Sequence, residues 1–184
     1  HLVLARRDIA RALAAKVAWD EIPRQATPYA PENRVLIATG PLTGTLAPTS
    51  GRTIMSSLSP RTYPMPWYTH STLGGWFGAE MKYAGFDAIV ISGRSDGPVY
   101  LEVRDGEVSL RAAGDLWGLD ARQTQLTLKE RTGPQTQILT IGPAGENHVV
   151  FACIGHDFGR QAGRGGMGAV MGSKRLKAIA VRGT

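Results

Sequence analysis

The segment Arg164–Gly183, RGGMGAVMGSKRLKAIAVRG, repeats a segment ninety positions earlier, Gly74–Gly93, GGWFGAEMKYAGFDAIVISG. Seven of the twenty aligned residues are identical, and the matches continue past the glycines into the apolar residues that follow. Glycine-rich composition alone does not produce the apolar matches. We therefore interpret the chain as an internal duplication, with repeats over roughly 31–93 and 134–184.

Each repeat has the same predicted order of elements. RVLIATGP (34–41) aligns with TQILTIGP (136–143), so each half reads as strand, Gly-Pro turn, strand, glycine-rich loop, short helix and strand. A duplicated unit generates a pseudo-twofold axis, which presents two similar glycine loops. Two such loops suit a ligand that itself has two similar halves.

The remaining patterns set the fold class. We predict helices over 7–22, 75–85 and 120–133. We predict strands over 34–39, 52–58, 86–93, 136–141, 148–154 and 177–181. A hairpin is predicted over 98–111 around Asp105-Gly106, and a loop over 59–75. Asp120 is the expected N-cap of its helix and Gly133 the C-cap. Strands and helices mix without a regular βαβ rhythm, which favours an α+β fold over a doubly wound sheet. We expect a single domain over 1–184.

Composition narrows the function. The formal net charge of +6 favours anionic partners, although it also suits an ordinary soluble basic protein. The single cysteine excludes an intramolecular disulfide and a four-cysteine iron–sulfur site within this chain, and it favours a cytoplasmic location. The four histidines lack metal-ligand spacing. No apolar run reaches the roughly 18 residues that a membrane span needs.

The glycine loops carry the candidate binding residues. Gly51-Arg52 and Gly74-Gly75 lie in the first half, whereas Arg160, Gly163, Arg164 and Gly165 cluster in the second. Glycines let backbone N–H groups approach an anion closely, and a guanidinium matches a phosphate or stacks on a flat ring. The stretch lacks the Gly-Lys-Ser/Thr of a P-loop, and RGG occurs only once. A large anionic heterocyclic cofactor fits these loops; a purely structural, turn-rich corner is the alternative.

Several long motifs identify a family at this point. GPLTGTLAPTSGR, GGWFGAEMKYAGFDAIVISG and IGPAGENHVVFACIGHDFGRQAGRGGMGAVMGSKRLKAIAVRGT resemble the N-terminal domain of tungsten-containing aldehyde ferredoxin oxidoreductases. The resemblance runs from about Pro31 to Thr184. It implies an internally duplicated α+β fold built on two β-sheets. It also implies an enzyme domain that seats a bis-pterin tungsten or molybdenum cofactor, with or without a magnesium ion.

The resemblance assigns residues one by one. Arg52 matches a pterin-contacting arginine, Gly74 lies in the Gly-Gly loop, and Arg160, Gln161 and Gly163 match the pterin and phosphate contacts of the second half. Gly75, Arg164 and Gly165 neighbour these positions. Thr72 stands where the family usually has asparagine, which weakens the expectation of magnesium. No catalytic residue and no protein metal ligand is identifiable in the chain.

The resemblance also implies what this chain lacks. In the family, aldehydes are oxidised to carboxylic acids and two electrons pass through a [4Fe-4S] cluster to ferredoxin. The cluster cysteines and the substrate pocket belong to later domains, so we expect a fragment whose partners are those domains, ferredoxin and a small aldehyde. The family also includes reduction of aromatic acyl-CoA. The competing hypothesis is a basic, non-catalytic binding module that kept the fold, although nucleic acid is an unlikely partner because RGG occurs once without interleaved aromatics.

Overall fold

The computed structural model describes residues 2–5, 10–62 and 64–184. The elements follow along the chain as β1 (Leu2–Ala5), α1 (Ala10–Glu21), β2 (Val35–Thr39), β3 (Thr53–Leu58), β4 (Tyr68–Leu73), α2 (Phe77–Tyr83), β5 (Ala88–Ile91), β6 (Val99–Arg104), β7 (Glu107–Ala112), α3 (Ala121–Thr132), β8 (Gln137–Thr140), α4 (Pro143–Glu146), β9 (Ile154–His156), β10 (Arg160–Ala162), α5 (Met167–Ser173) and β11 (Leu176–Arg182). The first residues of the predicted helix over 7–22 lie outside the described residues.

Two β-sheets form the fold, as predicted. One has the strand order β1-β5-β2-β3-β4, and the other has the order β10-β9-β8-β11-β6-β7. Within them, β5-β2-β3-β4 and β11-β8-β9-β10 share one order and are antiparallel throughout. Helices α2 and α5 occupy equivalent places before the last strand of each set. This shared topology supports the predicted duplication.

The core lies between the two sheets. Side chains that alternate along each strand divide between this core and an outer face. In β2, Val35 and Ile37 belong to the central cluster, together with residues of both sheets and of α2 and α5. Leu36 and Ala38 instead pack beneath α1. On the other sheet, Leu128 of α3 packs in a third cluster against outward-facing residues of β6, β8 and β11. Both outer helices therefore pack on the outer faces of the sheets.

Two local predictions are confirmed in detail. Asp105 and Gly106 both have positive φ, 47° and 89°, which is the backbone of a type I′ turn between β6 and β7. Asp120 caps α3, since its Oδ1 accepts from the Gln123 backbone N–H at 2.7 Å while Gln123 Oε1 accepts from the Asp120 N–H at 3.1 Å. These motifs depend only on neighbouring residues, so the sequence sufficed to predict them.

Three predictions were wrong. The loop over 59–75 contains β4, which pairs along β3 despite the prolines before it. The glycine-rich loop of the second half likewise contains β10, so each repeat has a third strand before its glycines. The predicted strand over 148–154 begins only at Ile154. His148 has a φ of 56°, which is not the φ of a strand. The carbonyl of Ala152 accepts a hydrogen bond from the Gly168 N–H at 3.0 Å, so the segment before Ile154 pairs with the start of α5 rather than with a strand.

Candidate functional site

The glycine loops meet where two edge strands meet. β4 is the last strand of one sheet and β10 the last strand of the other, and the two strands are in contact. Each is followed directly by its glycine loop, Gly74-Gly75 after β4 and 163–166 after β10. The fold therefore places both loops side by side, although about ninety residues separate them along the chain.

Two clefts open at this junction. The first, which we call the arginine cleft, has a volume of about 370 Å³ and is lined by Thr49, Gly51, Arg52, Gly74, Gly75 and Arg160. The second, the hydroxyl cleft, has a volume of about 750 Å³ and is lined by Thr69, His70, Ser71, Thr72, Gln161, Gly163 and Arg164. Each cleft takes residues from both repeats. Four of the nine predicted site residues line the first cleft and four line the second; the ninth, Gly165, lies beside the hydroxyl cleft against Thr69.

The first glycine loop fits against side chains of the second repeat. Gly75 has φ of 103°, and a Cβ there would lie 2.7 Å from His156 Nε2 and 3.0 Å from Arg160 Cδ. A Cβ on Gly74 would lie 3.4 Å from Arg160 Nη1. Only glycine satisfies the backbone angle and the contact at position 75 together. The two glycines thus leave the Arg160 side chain room to lie along the loop.

The second loop fits against the first repeat in return. Gly165 has φ of 78°, and a Cβ there would lie 2.8 Å from Thr69 Cγ2. The Ser59 hydroxyl donates to the Gly165 carbonyl at 2.9 Å, and the Arg164 N–H donates to Ser71 Oγ at 3.2 Å. Each loop is therefore held by the other repeat, as expected of a pseudo-twofold pair.

The charge around the clefts is positive. Arg52, Arg160 and Arg164 are exposed. Arg160 Nε donates to Asp157 Oδ2 at 3.2 Å, in an ion pair whose two side chains are 54% and 45% exposed. Among the described residues, the guanidinium groups of Arg52 and Arg164 have no carboxylate partner within ion-pair distance. Exposed guanidinium groups that lack a carboxylate partner and lie beside the glycine loops attract anions.

His70 is a cleft residue that the sequence analysis missed. It lines the hydroxyl cleft, and Arg11 Nη2 donates to its Nδ1 at 3.4 Å. Burial and then the Arg11 charge lower the pKa of His70. Because Nδ1 accepts a hydrogen bond, the neutral ring carries its proton on Nε2. The internal repeat could have indicated His70 as a site residue, because His70 lies ninety positions before Arg160 and so occupies the equivalent position in the first repeat.

His156 lies under the arginine cleft and was also missed. Its side chain is buried, its Nδ1–H donates to the Ile138 carbonyl at 3.0 Å, and its ring edge meets Phe77. Nε2 has no hydrogen-bond partner within the described part of the chain. Burial lowers the pKa of His156, with Arg160 and Lys129 acting in the same direction and the Ile138 carbonyl and Asp157 opposing them. The sequence alone predicts a surface or fully hydrogen-bonded histidine at this position, and the buried His156, whose Nε2 has no partner among the described residues, is neither.

Gln161, in the middle of β10, is one of the residues that line the hydroxyl cleft. Its Oε1 accepts a hydrogen bond from the thiol of Cys153 at 2.9 Å. Within residues 10–62 and 64–184, no three or more His, Cys, Asp or Glu side chains come together as a metal site. Among the residues that the structure describes, no carboxylate, the side chain that a magnesium ion prefers, lines either cleft.

A third depression lies away from the glycine loops. It has a volume of about 390 Å³ and runs between the end of α1 and β4, past Trp19, Ile22 and Pro66. Its lining is mainly apolar, and it contains none of the predicted site residues. Separately, none of the helices in the described ranges is long and apolar enough to cross a bilayer.

Comparisons with known proteins identify the family of this chain. The family described as "Aldehyde ferredoxin oxidoreductase, N-terminal domain" matches residues 10–183. The tungsten-containing aldehyde ferredoxin oxidoreductases of Pyrococcus abyssi and Pyrococcus furiosus are 51% and 47% identical to the chain, over 89% and 95% of its length. The WOR-like subunit of an aliphatic sulfonate oxidoreductase from Pyrococcus furiosus is 34% identical over 190 aligned positions.

One solved structure has the same fold. The active site complex BamBC of benzoyl coenzyme A reductase, in complex with 1,5-dienoyl-CoA, contains a chain that is 42% identical and superposes with a TM-score of 0.91 over 95% of our chain. The chain spans only about a quarter of its relatives, 26% of the Pyrococcus abyssi protein and 26% of the BamBC chain. The match over residues 10–183 and these identities show that the chain belongs to the aldehyde ferredoxin oxidoreductase N-terminal domain family.

Proposed function

We propose that this chain is the domain that seats a bis-pterin tungsten or molybdenum cofactor in an oxidoreductase of the aldehyde ferredoxin oxidoreductase type. The observation that carries the proposal is the pair of composite clefts. Each cleft combines glycine backbone with residues of both repeats, and at least one unpaired guanidinium group faces each. Two related clefts match a ligand with two related, phosphate-bearing halves.

The residues present fit such a ligand. At Gly75 a side chain would collide with His156, so the backbone of this loop stays bare at the cleft. Arg52 and Arg160 face the arginine cleft from opposite repeats, where planar guanidinium groups bind phosphate or stack on a flat pterin ring. Arg164, Gln161 and Thr72 offer donors in the hydroxyl cleft. These side chains would orient the two pterins and neutralise their phosphates.

When bound, the metal cofactor supplies the two-electron redox chemistry. This chain would contribute binding and orientation through the side chains that line the two clefts. A magnesium ion between the phosphates would take its protein ligands from backbone carbonyls or hydroxyls, since no carboxylate of the described residues lines either cleft.

The whole enzyme is proposed by similarity to its relatives. It would oxidise a small aldehyde to a carboxylic acid and pass two electrons through a [4Fe-4S] cluster to ferredoxin in the cytoplasm. The single cysteine, Cys153, cannot hold that cluster, so the remaining domains would supply its ligands as well as the substrate pocket. We also expect the 184-residue chain alone to retain little cofactor, because it would cover only one face of the cofactor and the remaining domains would cover the other.

The test uses the enzyme that carries this chain. Arg52→Ala and Arg160→Ala, alone and combined, are compared with Arg94→Ala, an exposed arginine outside both clefts. We expect the double variant to contain less than about a tenth of the tungsten or molybdenum and pterin of the wild type, because each lost charged hydrogen bond costs roughly 1.5–3 kcal/mol. Arg94→Ala should retain full content. Normal metal and pterin content in the folded double variant would refute the proposal.

The same variants separate the alternative of a basic, non-catalytic module. Such a module would bind single-stranded oligonucleotides with an affinity that falls steeply with salt, and Arg52→Ala with Arg160→Ala would weaken that binding. The proposed cofactor domain should bind them only weakly at physiological salt.

A further inference from the structure

We propose that Cys153 is a positioning residue, which orients the side-chain amide of Gln161 so that its NH₂ group donates to an anionic group of the ligand in the hydroxyl cleft. The inference rests on the proposed function and extends it to a residue outside the cleft lining. It begins from one hydrogen bond, between Cys153 Sγ and Gln161 Oε1 at 2.9 Å.

The chemistry of the two groups determines the direction of that bond. An amide oxygen can only accept, so the Cys153 thiol is the donor. In this hydrogen bond Oε1 lies toward sulfur and Nε2 lies away from it. Within the described residues, no acceptor of this chain meets Gln161 Nε2. Two N–H donors are left for a ligand in the cleft.

The space for this arrangement comes from Gly155. Gly155 lies opposite Gln161 in the β9–β10 ladder. A Cβ on Gly155 would lie 3.4 Å from Gln161 Nε2 and 3.5 Å from Oε1, so the amide lies over the bare Cα of this glycine. Cys153, half-buried, approaches from the turn before β9. The amide is therefore held between a backbone surface and a thiol, although Gln161 itself is exposed.

This orientation matters because the two ends of an amide act oppositely on an anion. The NH₂ end attracts a phosphate oxygen, whereas the carbonyl end repels it. A free glutamine would also lose rotamer freedom on binding, and holding it in advance removes that cost. Arg164 lines the same cleft, so the oriented amide would act beside a guanidinium group.

The experiment measures how fast the loaded enzyme that carries this chain releases its cofactor. Purified wild-type protein, Cys153→Ala, Cys153→Ser, Gln161→Ala and the Cys153→Ala/Gln161→Ala double variant are dialysed, and metal and pterin per chain are followed with time. We expect Cys153→Ala and Gln161→Ala each to release cofactor about three- to tenfold faster, in line with the loss of one oriented side chain. The double variant should be no faster than Gln161→Ala, because the thiol acts through the amide.

The conservative variant separates positioning from packing. Cys153→Ser keeps a donor and should stay close to the wild-type rate, and Cys153→Val, which keeps volume without a donor, should behave as Cys153→Ala. If Cys153→Ala folds poorly, Cys153→Val still allows the release rate to be compared with and without a donor at position 153. Gln135→Ala, an exposed glutamine far from both clefts in sequence, serves as the matched control and should release at the wild-type rate.

A wild-type release rate in Cys153→Ala, or additive effects in the double variant, would overturn this inference. Its failure is distinguishable from failure of the proposed function. If the Arg52 and Arg160 variants lose cofactor while the Cys153 variants do not, only the positioning role falls. If the Arg52 and Arg160 variants also retain the cofactor, both the positioning role and the proposed function are refuted.

Discussion

The arginine cleft and the hydroxyl cleft are built where β4 meets β10, yet they carry different chemistry. The arginine cleft takes Arg52 from the first repeat and Arg160 from the second, so two guanidinium groups line it. The hydroxyl cleft takes His70 from the first repeat and Arg164 from the second, with three hydroxyl side chains between them. The two clefts therefore have similar backbone frames but different side chains: two arginines line the first, and a histidine joins an arginine in the second.

The largest expected effect is a loss of folding stability when a glycine of the loops beside the clefts is replaced. Gly75→Ala should destabilise the chain by about 3 kcal/mol, because the new methyl group meets His156 and Arg160 at a strained φ. Gly163→Ala, on the other side of the junction, adds its methyl group to open space and should cost less than about 1 kcal/mol. Chemical denaturation of both variants measures the difference. Equal costs would mean that the two repeats do not hold each other's loops as described.

The next effect concerns the buried histidine under the arginine cleft. Because the pKa of His156 is lowered in the folded state, the unfolded chain binds its proton more readily below pH 6.5, the ordinary pKa of the side chain. Stability should therefore fall as the pH is lowered from 6.5 toward the folded pKa, by at most about 1.4 kcal/mol per pH unit for one proton.

His156→Asn removes this titration and should flatten that part of the stability profile, at the cost of a poorer hydrogen bond to the Ile138 carbonyl. Thermal unfolding between pH 4.5 and 7.5 measures both profiles, with His148→Asn as the control for an exposed histidine. An unchanged slope in His156→Asn would show that other groups cause the acid sensitivity.

A smaller effect should distinguish the clefts by pH. An anion in the hydroxyl cleft raises the pKa of His70, so binding takes up a proton and tightens as the pH falls through that pKa. For pyrophosphate, the gain should be about two- to fivefold, as for an exposed ion pair of about 0.5–1 kcal/mol. Amide NMR shifts near Arg164 and near Arg52 report the two clefts separately. Pyrophosphate itself gains protons on acidification, so we expect the affinity near Arg164 to gain relative to the affinity near Arg52, and His70→Asn should remove that difference.

The smallest effect concerns the ion pair between Asp157 and Arg160. Asp157→Asn should change stability by less than about 0.5 kcal/mol, because both side chains are exposed. It should nevertheless strengthen pyrophosphate binding in the arginine cleft, since it removes a competing carboxylate, and leave the hydroxyl cleft unchanged. Weaker binding would show that Asp157 instead holds Arg160 in its binding position.

Sequence patterns predicted the elements that depend on near neighbours. The Asp105-Gly106 hairpin and the capped helix α3 were predicted with their turn and cap residues, because these interactions span only a few positions. β4 and β10 were missed for the opposite reason. They are polar edge strands, one preceded by prolines and the other only three residues long, and their pairing with β3 and β9 is what makes them strands.

By itself, the sequence determined the repeat, the α+β class and the positions of the glycines and arginines, because these are written in residue identity and spacing. Only the tertiary structure decided which repeat completes which loop. Gly75 is shaped by His156 and Gly165 by Thr69, contacts that span 81 and 96 positions of the chain. No local pattern encodes such a pairing, because it arises only when the last strands of two separate sheets come together. The same packing brought His70 to the hydroxyl cleft and Cys153 to Gln161, although the sequence assigned neither a role.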